Sequence, residues 1–200
     1  NKFSKNWIIK QKRDIYVKQS KIEGYRSRAV YKLEEINKKF KILKNGINLV
    51  DLGAAPGSWS QFISKNFKHS KIVSIDLKET EVIENTHQIV GDFTEKNQQK
   101  KIIDYFGSKI DVVISDMAVN TTGNKSVDSL VTGELSIEAL NFSVNALKKS
   151  GTFVSKIFMG SSFNEIIKIA KKNFKVVYIY KPPASRKNSK ENFIICKFLR

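Results

Sequence analysis

The stretch Asp51-Leu52-Gly53-Ala54-Ala55-Pro56-Gly57-Ser58-Trp59-Ser60-Gln61 constrains this chain more than any other. It follows an apolar, β-type run at 47–50 and leads into a segment with helical spacing. A strand that turns on glycines into a helix is the junction at which an open α/β sheet holds an adenosine-type cofactor. Gly53 and Gly57 let the backbone bend and approach a ligand with no Cβ in the way, and Pro56 fixes one φ of the turn. Two phosphate-binding patterns are excluded. The loop has neither the Gly-Lys-Ser/Thr ending of a Walker loop nor the Gly-x-Gly-x-x-Gly of a dinucleotide site. It suits an adenosine-type ligand without phosphates, and S-adenosylmethionine meets that description.

Apolar β-rich runs recur along the 200 residues at 47–51, 71–76, 87–91, 111–115, 151–157, 174–180 and 192–198. Amphipathic patterns fall between them, over 28–40, 59–68, 96–106, 129–149 and 161–172. The segment 181–190 holds two prolines and no helical pattern, so the last two strands pair antiparallel. These features predict an α/β fold of the Rossmann-like methyltransferase type, with a seven-stranded, mostly parallel sheet and an antiparallel last strand. One domain over 1–200 is expected, with 1–27 as a basic N-terminal extension. No run approaches the roughly 20 apolar residues of a membrane span. Cys196 lies in an apolar run and reads as core, and His69 and His87 lack partners at ligand spacing, so no metal is expected.

The net charge is +17, but 31 of the 36 basic residues are lysines, so the total says less than its distribution. Residues 1–44 carry 14 Lys or Arg against Asp14, Glu23, Glu34 and Glu35, a balance of +10. Trp7, Tyr16, Tyr25 and Tyr31 are interleaved with them. Basic charge mixed with aromatic rings suits RNA, and Arg13, Arg26 and Arg28 are three of only five arginines, whose forks match phosphate oxygens.

Asp76, Asp92 and Asp116 close successive strands, at the edge where an open α/β sheet binds ligands. Asp76 lies 23 residues after Gly53, near the spacing at which an acid accepts hydrogen bonds from ribose hydroxyls. Lys156 interrupts Thr152-Phe153-Val154-Ser155-Lys156-Ile157-Phe158, a central-strand pattern, and is expected to point into the crevice. Glu191 starts the last strand. Lys32, taken alone, reads as a solvated helix residue.

Together these residues resemble the FtsJ/RrmJ family of RNA 2′-O-ribose methyltransferases. Gly24-Tyr25-Arg26-Ser27-Arg28-Ala29-Val30-Tyr31-Lys32-Leu33, the loop at 51–61, Gly91-Asp92-Phe93, Ser115-Asp116-Met117-Ala118 and Val154-Ser155-Lys156 stand in family order. The resemblance implies a catalytic set of Lys32, Asp116, Lys156 and Glu191. It implies S-adenosylmethionine contacts from Gly57, Trp59, Asp76, Asp92 and Asp116, to which the reading of the glycine loop adds Gly53. Its substrate would be a uridine of large-subunit ribosomal RNA, with the tRNA anticodon loop and a silent ribosome-assembly role as alternatives. Where family members commonly have proline after Ser-Asp-Met-Ala, this chain has Val119. A monomer is expected, in the cytoplasm or, if a targeting segment has been removed, in an organelle.

A ribose hydroxyl ionises far above neutrality, so transfer requires a base held in line with the methyl donor. Lys156 is assigned as proton acceptor, with Asp116 placing it. Lys32 and Glu191 position the ribose.

Overall fold

The computed structural model describes residues 14–117, 125–160 and 162–200, so the expectations that rest on Trp7, Arg13 and Val119 lie outside the described residues. The elements are α1 (Ile15–Ile22), α2 (Val30–Phe40), β1 (Asn48–Leu52), α3 (Ser58–Asn66), β2 (Lys71–Asp76), β3 (Thr86–Val90), α4 (Lys96–Phe106), β4 (Ile110–Ser115), α5 (Lys125–Ala146), β5 (Leu147–Phe158), α6 (Phe163–Asn173), β6 (Phe174–Tyr180) and β7 (Glu191–Leu199).

One seven-stranded sheet runs in the order β3-β2-β1-β4-β5-β7-β6. β1 to β5 pair parallel, whereas β7 is antiparallel to both β5 and β6. The last strand is therefore interior and not at the edge. The connections explain this: β6 returns through α6 one position beyond β5, and the segment 181–190 folds β7 back into the gap.

Helices cover both faces, and the alternation of side chains sorts the core into two layers. Val113, Phe153, Ile194 and Cys196 pack with Ile102, Leu140 and Phe174 on one face. Ile114, Val154, Phe193 and Ile195 pack with Val30, Leu33, Ile36, Trp59 and Ile63 on the other. Burial on both faces is why these strands read as continuous apolar runs.

Two differences from expectation go beyond a shift of one or two residues at an element's end. α1 was not foreseen, because it buries only Ser20 and leaves Ile15 and Ile22 exposed, so it carries no apolar stripe. Its start is a capping interaction, Asp14 accepting the Tyr16 N–H at 3.1 Å. The helix expected over 129–149 stops at Ala146, since Leu147 already pairs with Ile110 of β4 ahead of a register shift.

Candidate active site

Strand order reverses between β1 and β4, and the crevice outside their carboxyl ends is where a doubly wound sheet binds ligands. A cavity of about 490 Å³ lies there, reached by Gly53, Asp76, Asp92, Phe93, Asp116 and Met117. Asp76 accepts the Ala55 N–H on one carboxylate oxygen and the Lys78 N–H on the other, both at 2.9 Å, which ties the end of β2 to the glycine loop. Asp92 uses a single oxygen to accept from the Thr94 N–H and hydroxyl. Among the described residues lining this cavity the charged ones are Asp76, Asp92, Asp116 and Lys78. The carboxylates of Asp76 and Asp92 favour a cationic ligand over phosphate, while Phe93, Met117 and the outward-facing Leu77 offer apolar walls.

Asp116 also belongs to a second group. Lys156 Nζ donates to its Oδ1 at 2.8 Å and to its main-chain carbonyl at 2.6 Å. Lys32 Nζ lies 3.4 Å from its Oδ2 and donates to Glu191 Oε2 at 2.9 Å. Glu191 is held in turn by the Ser185 hydroxyl at 2.8 Å, and its own N–H donates to Ser189 Oγ. The result is a chain running Lys156, Asp116, Lys32, Glu191, with two positive and two negative members. The side chains of Lys32 and Lys156 are only 13% and 7% exposed, so Lys32 is not the solvated helix residue that its local sequence suggests.

Burial disfavours charge on Asp116 and Lys32, but their partners outweigh it. The ammonium groups of Lys156 and Lys32 hold the Asp116 carboxyl below its ordinary range despite burial. Burial alone would lower Lys32, yet the carboxylates of Asp116 and Glu191 raise it. The loop's first residue behaves differently. Burial pushes Asp51 up to about 7, against the hydrogen bond it accepts from Ser60 Oγ at 2.8 Å, and Asp116 adds to the rise.

A family model of FtsJ-like methyltransferases matches residues 25–199. The chain belongs to the FtsJ-like methyltransferase family. It is 64% identical to ribosomal RNA large subunit methyltransferase E of Pelagibacter ubique, over all of this chain and 98% of that protein. A crystal structure from Plasmodium falciparum, described as a ribosomal RNA methyltransferase, aligns with a TM-score of 0.78 and 34% identity over 88% of this chain and 98% of its own. Human methyltransferase-like protein 13, solved in complex with SAH, shares the fold at a TM-score of 0.58 and 12% identity, covering 84% of this chain and 79% of its own.

Not every residue expected at this FtsJ-like site reaches it. Gly53, Asp76, Asp92 and Asp116 line the cavity, whereas Gly57 and Trp59 do not. Trp59 is buried in the core, its indole N–H donating to the Ala29 carbonyl at 2.7 Å and its ring 5.9 Å from Phe193. Gly57 is required for another reason. Its φ is +101°, and a Cβ there would lie 2.7 Å from Ile83 Cδ1 and 2.8 Å from Arg26 Nη1.

Arg26 and Arg28 are likewise committed within the protein. Arg26 donates to the carbonyls of Pro56, Glu81 and Val82 at 3.0–3.1 Å, and its N–H donates to Gln61 Oε1. Arg28 pairs with Asp14 and with the Ala184 carbonyl. In this structure both act as internal clamps. Met117 and Ser185 are neighbours of the site that motif reading did not single out. Met117 stood inside a quoted motif, but Ser185 has no local signal because its partner Glu191 defines its use.

Proposed function

We propose that this chain transfers the methyl group of S-adenosylmethionine to a ribose 2′-hydroxyl of RNA, at a uridine of the large ribosomal subunit. One observation carries the reading: Asp116 is shared between the acidic cavity and the Lys156–Asp116–Lys32–Glu191 chain, so a donor site and a proton-accepting group adjoin. The names of the FtsJ-like relatives point to the same substrate class.

When bound, S-adenosylmethionine supplies a methyl group made electrophilic by a sulfonium. Asp76 would hold the ribose hydroxyls of this cofactor, Asp92 its adenine amino group, and Phe93 and Met117 its ring faces. Gly53 keeps the entrance open.

Lys156 accepts the hydroxyl proton once its own ammonium proton has passed to solvent. A neutral lysine amine keeps two N–H donors and one lone pair. The two Asp116 oxygens take both donors, so the lone pair is left for the substrate. Glu191 and Lys32 orient the ribose, and Ser185 keeps Glu191 from swinging away. A positioned base of this kind contributes on the order of 10²–10⁴ in rate.

The reading is tested by supplying labelled methyl donor with purified ribosomal RNA, large subunits and tRNA in parallel, then mapping alkali-resistant ribose positions. Label in large-subunit RNA is expected. A product confined to tRNA, or methylation of a base nitrogen, would overturn it.

A further inference from the structure

Arg26 and Arg28 are bonded within the protein, and elsewhere on the surface other cations stand beside exposed aromatic rings. The outer edge of the sheet, on the side covered by α2, carries a group that neither the cavity nor the catalytic chain uses. β6 is the edge strand, and Tyr178 and Tyr180 stand two residues apart on one face of it. Phe40, at the end of α2, meets both rings, with centroids 5.2 Å from Tyr178 and 5.4 Å from Tyr180. Lys39 Nζ lies 4.3 Å from the Tyr180 centroid, and Lys197 is anchored to the Phe40 carbonyl at 2.9 Å. Although Phe40 backs it, Tyr178 is 48% exposed. A large ring held firmly on one side and open to water on the other is a platform on which a second flat ring can stack.

The ledge is continuous with the catalytic chain. α2 carries Lys32 two turns before Lys39, a separation of about 10 Å along the helix. From Tyr180 the polypeptide passes through 181–190 directly to Glu191. The nearby acid, Glu35, is engaged by the Ala184 N–H at 2.8 Å and by the Tyr16 hydroxyl. Bases stack on protein rings only where the strand is unpaired and its bases are splayed out.

We propose that Tyr178, Tyr180 and Lys39 form a ledge for single-stranded RNA flanking the methylated nucleotide, with a base on the open face of Tyr178 and backbone phosphate beside Lys39. This rests on the reading of the chain as an RNA methyltransferase. The full chain is compared with Tyr178→Ala, Tyr178→Phe and Lys39→Ala. Binding of a labelled single-stranded oligoribonucleotide is measured at two salt concentrations, together with KM for ribosomal RNA, KM for S-adenosylmethionine, and kcat.

Tyr178→Ala is expected to weaken RNA binding roughly tenfold, the loss of one stacked base, and to raise the RNA KM alike. KM for S-adenosylmethionine and kcat at saturating RNA stay unchanged. Tyr178→Phe restores affinity because it keeps the ring, and Lys39→Ala flattens the salt dependence by about one phosphate contact. Unchanged oligonucleotide affinity in Tyr178→Ala, at an unchanged melting temperature, would overturn the proposal. So would a defect seen only with assembled subunits, which would make this edge a protein-docking face. Oligonucleotide binding needs no turnover, so failure of the unaltered chain to methylate RNA would count against the reaction and leave this test standing.

Discussion

Lys156 reaches Asp116 twice, through the carboxylate at 2.8 Å and the main-chain carbonyl at 2.6 Å. The second contact ties the lysine to the end of β4 itself, so its position does not depend on one rotatable carboxylate. Asp116 also borders the cavity, so one residue serves two neighbouring sites. The variants of the two partners should therefore fail in different ways.

Lys156→Ala should lower kcat by about 10²–10⁴ and leave binding of S-adenosylhomocysteine nearly intact. Asp116→Ala should lose both turnover and cofactor affinity. Calorimetric titration of each variant, beside a labelled-methyl assay, separates the two. Full turnover in Lys156→Ala would remove lysine from the base role.

Arg26 should prove a positioning residue for the cofactor loop. Its fork joins the Pro56 carbonyl to those of Glu81 and Val82, across the mouth of the adjoining crevice. Arg26→Ala should raise KM for S-adenosylmethionine several-fold, with little change in kcat at saturation, and cost about 1–2 kcal/mol of stability. Arg26→Lys should rescue poorly, because a single ammonium cannot span three carbonyls. A raised KM for RNA alone would contradict this role and revive direct RNA contact.

Gly53→Ala should be severe for a reason visible only in three dimensions. The added Cβ would fall 2.0 Å from Met117 Cγ, at a φ of +70° that side chains rarely adopt. The backbone strain alone costs about 1–2 kcal/mol. Met117→Ala should recover part of the loss by vacating the space, and a double-mutant cycle from chemical denaturation reads the coupling. Strictly additive effects would show that Met117 is not the obstacle.

Asp51 should make stability depend on pH in an uncommon direction for a carboxylate. Its folded value, about 7, lies above the ordinary 3.8, so the folded chain binds the proton more tightly than the unfolded one. Its contribution is fully present below about 4 and is lost as pH rises toward 7, with a slope approaching about 1.4 kcal/mol per pH unit. Asp51→Asn should flatten that slope relative to the unaltered chain. Denaturation curves at pH 5 and pH 8 suffice, and identical slopes in both proteins would refute the assignment.

Much of the fold was legible because its information is local. The β2 and β6 boundaries and the whole of α4 coincide with the runs read from the sequence, where β-branched stretches and helical spacing decide the element. α1 escaped notice since a helix that buries one serine leaves no periodicity to detect. β7 was foreseen as antiparallel, but its insertion between β5 and β6 depends on where a crossover lands, and no local pattern records that.

The site divides along the same line. The glycine loop, the aspartates at strand ends and the lysine in a central strand announce themselves because each breaks a local pattern. Sequence alone thus determined the α/β fold and the glycine loop, and the family resemblance named Lys32, Asp116, Lys156 and Glu191, which the structure brings together. Which cations face a ligand and which are used by the protein was decided by tertiary structure. Lys32 meets Glu191 across 159 residues and is buried, while Arg26 and Arg28, the better phosphate binders by type, are taken by backbone carbonyls and Asp14. Charge and residue type are properties of a position in the chain, whereas a side chain's partners, and the burial that sets their strength, exist only once distant segments have been brought together.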